Sequence, residues 1–173
     1  MASRMRRRSE AHAIRTADDK NQADVLLVCS AGGHLLQLHL LRRAWQGQSY
    51  LWVTHDKDDS RSLLEEEPVV YAHGPTTRNV PNLMRNLRLA LRVIRRSRPR
   101  VLITTGAGVA VPFAWIGRSL GVRVVYIESF TRIDRPSLSC RLVAPVADRI
   151  YVQWPELAKN VRRAKYVGNV LGS

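Results

Sequence analysis

The chain has 173 residues, enough for one domain with a full-sized core, and its 45% apolar content and four tryptophans exclude a disordered protein. A formal net charge of +14 indicates an anionic partner, which leaves a phosphorylated ligand, a nucleic acid and an anionic membrane surface open. The two cysteines, Cys29 and Cys140, give neither a disulfide framework nor the ligand spacing of a zinc site, and they favour a reducing cytosol.

The chain is expected to begin with a flexible basic tail. Residues 1–22 are polar, rich in arginine and without apolar periodicity, and they show no signal peptide. We therefore assign the folded domain to residues 23–173. The uncharged stretch from Val101 to Gly117 is interrupted by two glycines and Pro112, so it predicts a strand, a turn and a helix instead of a membrane span.

The first element of the domain combines a buried strand with a glycine loop. Val25 to Cys29 is a short apolar run, typical of a strand that is buried on both faces. Ser30-Ala-Gly-Gly33 follows, and leucines then recur at helical spacing from His34 onward. The unpaired N–H groups and the positive dipole of such a helix start attract anions. Taken alone, the stretch also fits a plain tight turn with a solvated histidine.

Strands and helices alternate along the rest of the chain. Further strands are predicted at 49–54, 68–72, 100–105, 123–127, 149–152 and 165–167, and helices at 60–67, 79–98, 109–120, 136–146 and from 154. This alternation predicts a doubly wound, Rossmann-like α/β domain with a parallel sheet. Ligands bind such sheets at the carboxyl ends of the strands. Gly32-Gly33, the second glycine turn Gly106-Ala-Gly108 and Glu128 all follow strands, so we expect them to converge on one crevice.

The predicted helix 79–98 has an unusual charge pattern. Pro81 suits the first turn, and the apolar residues on one face are Leu83, Leu87, Ala90 or Leu91, and Ile94. No acidic residue offsets the arginines around them, which are Arg85, Arg88, Arg92, Arg95, Arg96 and Arg98. The helix is expected to end before Pro99. A basic face of this kind fits an anionic membrane, a solvated surface or an acidic partner chain.

The glycine turns indicate the chemistry of the ligand. Neither turn has the G-x-G-x-x-G spacing of a dinucleotide site, and the sequence contains no G-x-x-x-x-G-K-[ST] loop. Two glycine turns at two helix starts instead suggest a ligand with two adjacent phosphates. No histidine has the spacing of a metal ligand, so we expect no metal.

Four motifs, in this order, make the chain resemble the Alg14 family, which includes the bacterial PssD-type exopolysaccharide proteins. They are Val28-Cys-Ser-Ala-Gly-Gly-His-Leu-Leu-Gln-Leu38, Thr104-Thr-Gly-Ala-Gly-Val-Ala-Val-Pro112, Tyr126-Ile-Glu-Ser-Phe-Thr-Arg132 and Tyr151-Val-Gln-Trp-Pro-Glu156. The resemblance covers about residues 23–171. The two glycine loops also resemble, more distantly, those in the amino-terminal half of the glycosyltransferase MurG.

The resemblance implies the amino-terminal half of a GT-B glycosyltransferase that is divided between two chains. Such a chain would bind a polyprenyl-diphosphate-linked saccharide at the cytoplasmic face of the plasma membrane, as a peripheral protein. An Alg13-like or PssE-like partner would hold the UDP-sugar donor, so this chain would need no cofactor of its own. Transfer of the hexose would be inverting and independent of metal, and this chain would be inactive alone. The chain stops at Ser173, soon after a segment that resembles the lead into the second domain of single-chain relatives.

The resemblance also suggests roles for individual residues. His34 would be the general base toward the acceptor hydroxyl, or it would only bind phosphate. Glu128 would be an alternative base or bind a sugar hydroxyl, unless it forms an ion pair with Arg132. The expected contacts to the diphosphate or sugar come from Ser30, Gly32, Gly33, Thr105, Gly106, Gly108, Ser129 and Arg132. The expected membrane contacts come from Arg85, Arg88, Arg92, Arg95 and Arg96.

Two other functional classes fit parts of the sequence. A non-catalytic adaptor would recruit the catalytic partner to the membrane through the basic helix, without using His34 or Glu128. A nucleic-acid binder would use the net charge and show a steep dependence on salt, but it leaves both glycine turns unexplained. We therefore expect no nucleic-acid partner.

Overall fold

The computed structural model describes residues 22–76 and 79–172 of the chain. Nearly all of the predicted tail, residues 1–21, and two residues of the predicted loop 73–78 lie outside this part. The strands are β1 (Val25–Val28), β2 (Tyr50–His55), β3 (Val69–Ala72), β4 (Val101–Thr104), β5 (Arg123–Ile127), β6 (Arg149–Val152) and β7 (Ala164–Tyr166). The helices are α1 (Gly33–Leu40), α2 (Asp58–Leu63), α3 (Val80–Ser97), α4 (Ala110–Ser119), α5 (Leu138–Val143) and α6 (Pro155–Asn160).

The strands form one parallel sheet in the order β3-β2-β1-β4-β5-β6-β7. The strand order reverses at β1, which pairs with β2 on one side and with β4 on the other. Val25 lies opposite Tyr50 and Val101 in these two pairings, so β1, β2 and β4 are in register. The prediction of a doubly wound parallel sheet is confirmed. The switch in strand order places the β1–α1 and β4–α4 loops side by side at the carboxyl edge.

Each face of the sheet has its own apolar core. Leu26 and Val28 of β1 point into a core shared with α3, α4 and α5, whereas Val25 and Leu27 point into a core that contains Leu35 of α1. β1 is therefore buried on both faces, as its continuous apolar run predicts. Helices α1 and α2 cover one face of the sheet, and α3 to α5 cover the other.

The ends of α3 follow local signals in the sequence. The Asn79 side chain accepts a hydrogen bond from the Asn82 N–H and caps the helix, and Pro81 lies in the first turn. At the other end Arg98 adopts a left-handed conformation, with φ of 46°, immediately before Pro99. The expected stop before the proline is confirmed.

Three predictions need correction. The short helix predicted at 60–67 is found at Asp58–Leu63, and the helix predicted at 136–146 is limited to Leu138–Val143. On α3 the predicted apolar face is confirmed at Ala90 and Ile94, which are buried, but it is wrong near the start of the helix, where Leu83 is exposed and Asn82 and Asn86 are buried. The two asparagines are buried because their side chains hydrogen-bond the preceding loop, at Pro75 O and at the N–H and C=O of His73.

Candidate functional site

The two loops at the switch in strand order are joined by a reciprocal pair of hydrogen bonds. His34 Nδ1 lies 2.7 Å from the carbonyl oxygen of Thr105, and Thr105 Oγ1 donates to the carbonyl oxygen of His34 at 2.8 Å. His34 belongs to the first turn of α1, and Thr105 directly follows β4. The convergence of these two loops, predicted from the topology, is confirmed.

This contact fixes the tautomer of the histidine. A carbonyl oxygen can only accept, so Nδ1 must carry the proton, and in the neutral ring Nε2 keeps its lone pair. Burial lowers the pKa of His34 below its ordinary value of 6.5, and the charge of Arg132 lowers it too. The hydrogen bond to Thr105 and the charge of Glu128 act in the opposite direction but are smaller than the effect of burial. The imidazole is therefore neutral at pH 7, as a general base requires.

Some backbone N–H groups at the start of α1 have a hydrogen-bond acceptor within the chain, and others do not. The Gly32 N–H donates to Asp59 Oδ2 at 2.6 Å, so this amide, which we expected to bind a phosphate, already has an anionic partner inside the chain. The first helical hydrogen bond runs from the Leu36 N–H to Gly32 O. The amides of Gly33, His34 and Leu35 precede it and have no acceptor within the helix, so they are available to donate to a ligand. Phosphate binding by Gly33 stays a prediction.

The second glycine turn is shaped mainly by packing. Gly106 has φ of +97°, and a Cβ atom there would lie 2.5 Å from Tyr126 Oη. Its N–H donates to Thr104 Oγ1 at 3.0 Å. At Gly108 a Cβ atom would lie 2.8 Å from Thr76 Oγ1. The close approach of neighbouring side chains accounts for both glycines, and phosphate binding by them stays a prediction.

Glu128 lies at the end of β5 and is completely buried. Its carboxylate accepts hydrogen bonds from the Ser129 N–H, the Ser137 N–H and the Ser137 hydroxyl, at 2.8 to 3.0 Å, and from Tyr126 Oη at 3.3 Å. Burial and the charge of Glu128 raise the pKa of the adjacent Cys140 thiol to about 12. Among the described residues Glu128 has no ion pair with Arg132, so that alternative is not realised. Catalysis by Glu128 stays a prediction.

Gln37 joins helix α1, which carries His34, to the loop after β5, and it was not among the predicted site residues. It is buried in α1, where its Nε2 donates to Glu128 O at 2.9 Å and its Oε1 accepts from the Phe130 N–H at 3.2 Å. On the other side Trp154 Nε1 donates to Phe130 O at 2.6 Å. Gln37 and Trp154 both fall within the motifs of the Alg14 resemblance. Their side-chain-to-backbone contacts, however, join segments that are distant in the sequence.

The remaining predicted residues lie around this centre. Arg132 is exposed after β5, close enough for its charge to lower the pKa of His34. Ser129 is buried, with Oγ 2.9 Å from Thr131 Oγ1, whereas Ser30 is half-buried at the end of β1. The five arginines expected at a membrane are all exposed on α3, outside the crevice: Arg85, Arg88, Arg92, Arg95 and Arg96.

An apolar groove of about 500 Å³ opens beside the start of α1. The groove runs between α1 and α2, and Asp59 lies in its wall. The other lining residues are Gly32, Leu35, Leu36, Ser62 and Leu63. Three of the lining positions are leucines, so the groove presents apolar surface next to the polar end of the helix.

Two structural features are absent from the described part of the chain. No group of three histidine, cysteine or acidic side chains there is arranged to hold a metal ion. No helix there is long and apolar enough to cross a membrane.

Comparison with known proteins identifies the family. The model of the family described as "Oligosaccharide biosynthesis protein Alg14 like" matches residues 71–170, which is more than half of the chain. The chain belongs to this Alg14-like family. The resemblance seen in the four motifs is thereby confirmed.

Three curated relatives are named as transferase subunits. "UDP-N-acetylglucosamine transferase subunit alg14" of Schizosaccharomyces pombe is 42% identical over 77 residues, which is 42% of this chain and 37% of that protein. The subunit of Eremothecium gossypii is 38% identical over 118 residues, 61% of this chain and 51% of that protein. The human subunit is 22% identical over 183 residues, 88% of this chain and 85% of that protein. The chain thus spans about a third to a half of the length of the two fungal relatives.

Solved structures show the same fold. MurG of Acinetobacter baumannii superposes with a TM-score of 0.69 at 15% identity, over 84% of this chain and 45% of that one. The UDP-N-acetylglucosamine 2-epimerase of Rickettsia bellii superposes with a TM-score of 0.67 at 8% identity, over 87% of this chain and 46% of that one. The Alg14-like chain therefore has the fold of one Rossmann-like half of a GT-B protein, as predicted.

Proposed function

We propose that the chain is the acceptor-binding subunit of a two-chain glycosyltransferase that acts in polysaccharide biosynthesis, such as that of exopolysaccharide or capsule. The observation that carries this proposal is the fixed, neutral imidazole of His34 beside the unpaired amides of α1. Family membership and the word "subunit" in the names of the relatives support a division of the enzyme between chains. Those names also favour UDP-N-acetylglucosamine as the donor.

His34 would act as the general base of the transfer. Its Nε2 takes the proton of the acceptor hydroxyl while that oxygen attacks the anomeric carbon of the donor sugar. The bond from the anomeric carbon to UDP breaks on the opposite face, and UDP leaves with the electron pair, so the configuration inverts. The hydrogen bond to Thr105 keeps the ring in the tautomer that this step needs.

The diphosphate of the acceptor would lie at the start of α1. The amides of Gly33, His34 and Leu35 point away from the helix there, and the helix dipole adds a favourable charge. Arg132, on the loop after β5, supplies a guanidinium that can bind phosphate with two hydrogen bonds. The UDP-sugar would be held by an Alg13-like or PssE-like partner, and this chain needs no metal or cofactor for its part.

Helix α3 would hold the subunit at the cytoplasmic face of the plasma membrane. Its five exposed arginines are joined by apolar side chains near its start, where Val80, Leu83 and Met84 are 66%, 41% and 47% exposed. Basic residues contribute about 1 kcal/mol each at an anionic lipid surface. Apolar side chains beside them can enter the boundary between headgroups and acyl chains.

Reconstitution of the transferase tests the assignment of His34. The chain is co-expressed with the partner, and transfer from UDP-N-acetylglucosamine to a polyprenyl-diphosphate saccharide is measured for wild type, His34→Ala and His73→Ala. We expect His34→Ala to lower kcat by about 10²- to 10⁴-fold, the usual contribution of a general base. The exposed His73 is the matched control and should leave the rate unchanged. Full activity of His34→Ala would refute the base and favour the adaptor alternative.

Binding to lipid vesicles tests the membrane face separately. Reversal of Arg85, Arg88 and Arg92 to Glu should weaken sedimentation with vesicles that contain phosphatidylglycerol by more than 100-fold, since three favourable contacts are lost. The control reverses three exposed arginines outside α3, which are Arg123, Arg149 and Arg162, and so changes the net charge equally. Equal loss in both variants would mean that net charge alone, and not α3, attracts the chain.

A further inference from the structure

The two ends of the loop between β5 and α5 are held together by one carboxylate, that of Glu128. Glu128 Oε1 accepts from the N–H of Ser129, the first residue of the loop, at 2.9 Å. Oε2 accepts from the N–H of Ser137, the last residue before α5, at 2.8 Å. The Ser137 hydroxyl contacts both oxygens at 3.0 Å. The two ends of the loop are thus fastened to the same side chain, that of the residue directly after β5.

The same loop is held from two other elements at Phe130. The amide of Phe130 donates to Gln37 Oε1 on α1, and its carbonyl accepts from Trp154 Nε1 beyond β6. Gln37 also donates to the carbonyl of Glu128. The segment that follows Phe130 carries Arg132 and is exposed. The position of this guanidinium relative to His34 therefore depends on the fastening of the loop.

The contacts of Glu128 are unsuited to proton transfer with a substrate. An ionised carboxylate has about four lone-pair sites, and five contacts from Tyr126, Ser129 and Ser137 surround it. The side chain has no exposed surface through which a sugar hydroxyl could approach. A buried charge is retained only where hydrogen bonds compensate for its lost hydration, and here they come from the loop itself.

We propose that Glu128 is a positioning residue: it closes the 129–137 loop and thereby holds Arg132 where it meets the acceptor diphosphate beside His34. The part of this inference that concerns the acceptor rests on the proposed function. The fastening of the loop does not, and it can be measured on the full chain alone.

Hydrogen–deuterium exchange of the full chain tests the fastening. In Glu128→Gln the amide cannot accept at both ends of the loop, so the N–H groups of Ser129 and Ser137 should exchange at least about tenfold faster than in wild type, the factor expected for loss of a charged hydrogen bond. Ser137→Ala removes two of the contacts without removing the buried charge, and serves if Glu128→Gln fails to fold. The control is Ser119→Ala, because the Ser119 hydroxyl donates to Ile116 O within α4. Unchanged exchange in Ser137→Ala, and in Glu128→Gln where it folds, would overturn the proposal.

Kinetics of the reconstituted transferase separate positioning from catalysis. Both Glu128→Gln and Ser137→Ala should raise the acceptor KM by roughly tenfold, with kcat changed much less and the donor KM unchanged. The double variant should raise the acceptor KM no further than Glu128→Gln does, since the Ser137 hydroxyl acts on the loop through Glu128. A large loss of kcat in Glu128→Gln, with an unchanged acceptor KM and a silent Ser137→Ala, would instead make Glu128 the base. An inactive wild-type complex would refute the proposed function, and the exchange result would still decide the fastening.

Discussion

Substitution of Gly106 by alanine separates two reasons for a glycine in the second turn. Gly106 has φ of +97°, and an added Cβ would lie 2.5 Å from Tyr126 Oη and 3.1 Å from Ser139 Oγ. Gly121 has φ of +82°, but no atom lies within 4 Å of its added Cβ. Gly33 lies in α1 with open space around its added Cβ and an ordinary φ. Gly106→Ala should therefore suffer both a backbone penalty and a steric penalty. Gly121→Ala should suffer the backbone penalty alone, and Gly33→Ala should suffer neither.

The expected losses follow from these geometries. A left-handed backbone costs a residue with a Cβ about 1–2 kcal/mol, and overpacking a filled site costs about 1–3 kcal/mol more. Gly121→Ala should thus lose about 1–2 kcal/mol and Gly106→Ala about 2–5 kcal/mol. For a chain of this length each kcal/mol lowers Tm by about 2–4 °C. Gly33→Ala should lose no stability.

Thermal and urea unfolding followed by circular dichroism measure the series. The decisive comparison is the difference between Gly106→Ala and Gly121→Ala, because the backbone penalty largely cancels in it. If Gly106→Ala were no less stable than Gly121→Ala, Tyr126 would not press on the turn, and the packing explanation for this glycine would be refuted.

Three further predictions concern charge and protonation. The transfer rate should fall as pH falls through the lowered pKa of His34, below 6.5, because the imidazole must be neutral to accept a proton; this limb should vanish in His34→Ala. The free energy of unfolding should be lower at pH 5 than at pH 7.5, because the unfolded chain binds protons at His34 and His55 before the folded chain does; urea midpoints at these two pH values check this. Asp59→Ala should free the Gly32 amide and tighten binding of inorganic pyrophosphate roughly tenfold in calorimetry, whereas Asp58→Ala, in the same helical turn, should not.

The architecture was predictable because its signals are local. Apolar runs, glycine turns and proline positions locate all seven strands of the described part to within two residues, and alternation with helices gives the parallel sheet. The same topology brings the loops that carry His34, Thr105 and Glu128 to one edge. The buried face of α3 was harder to predict at its start. Asn82 and Asn86 are buried there through hydrogen bonds to a loop and not through apolar packing.

The details of the site depend on contacts that no local sequence pattern predicts. Asp59 lies 27 residues beyond Gly32 and takes the amide that the loop was expected to offer a phosphate. Gln37 reads as a polar position on a leucine-rich helix, yet it spans more than 90 residues of sequence to reach Glu128 and Phe130. To predict hydrogen bonds between residues so far apart in the sequence, one must know how the loops lie relative to one another. The periodicity of apolar residues does not give that information.

The distribution of charge gives the sheet two unlike faces. The segment from Asp56 to Glu67, which includes α2, holds six of the 14 acidic residues of the chain, whereas α3 on the opposite face carries five exposed arginines. An anionic lipid surface attracts the second face and repels the first, so it favours one orientation of the molecule. In that orientation Val80, Leu83 and Met84 would meet the lipid at the end of α3 that adjoins the carboxyl edge. Under the proposed function, a lipid-linked acceptor would then reach His34 directly from the membrane, and the acidic segment from Asp56 to Glu67 would face away from it.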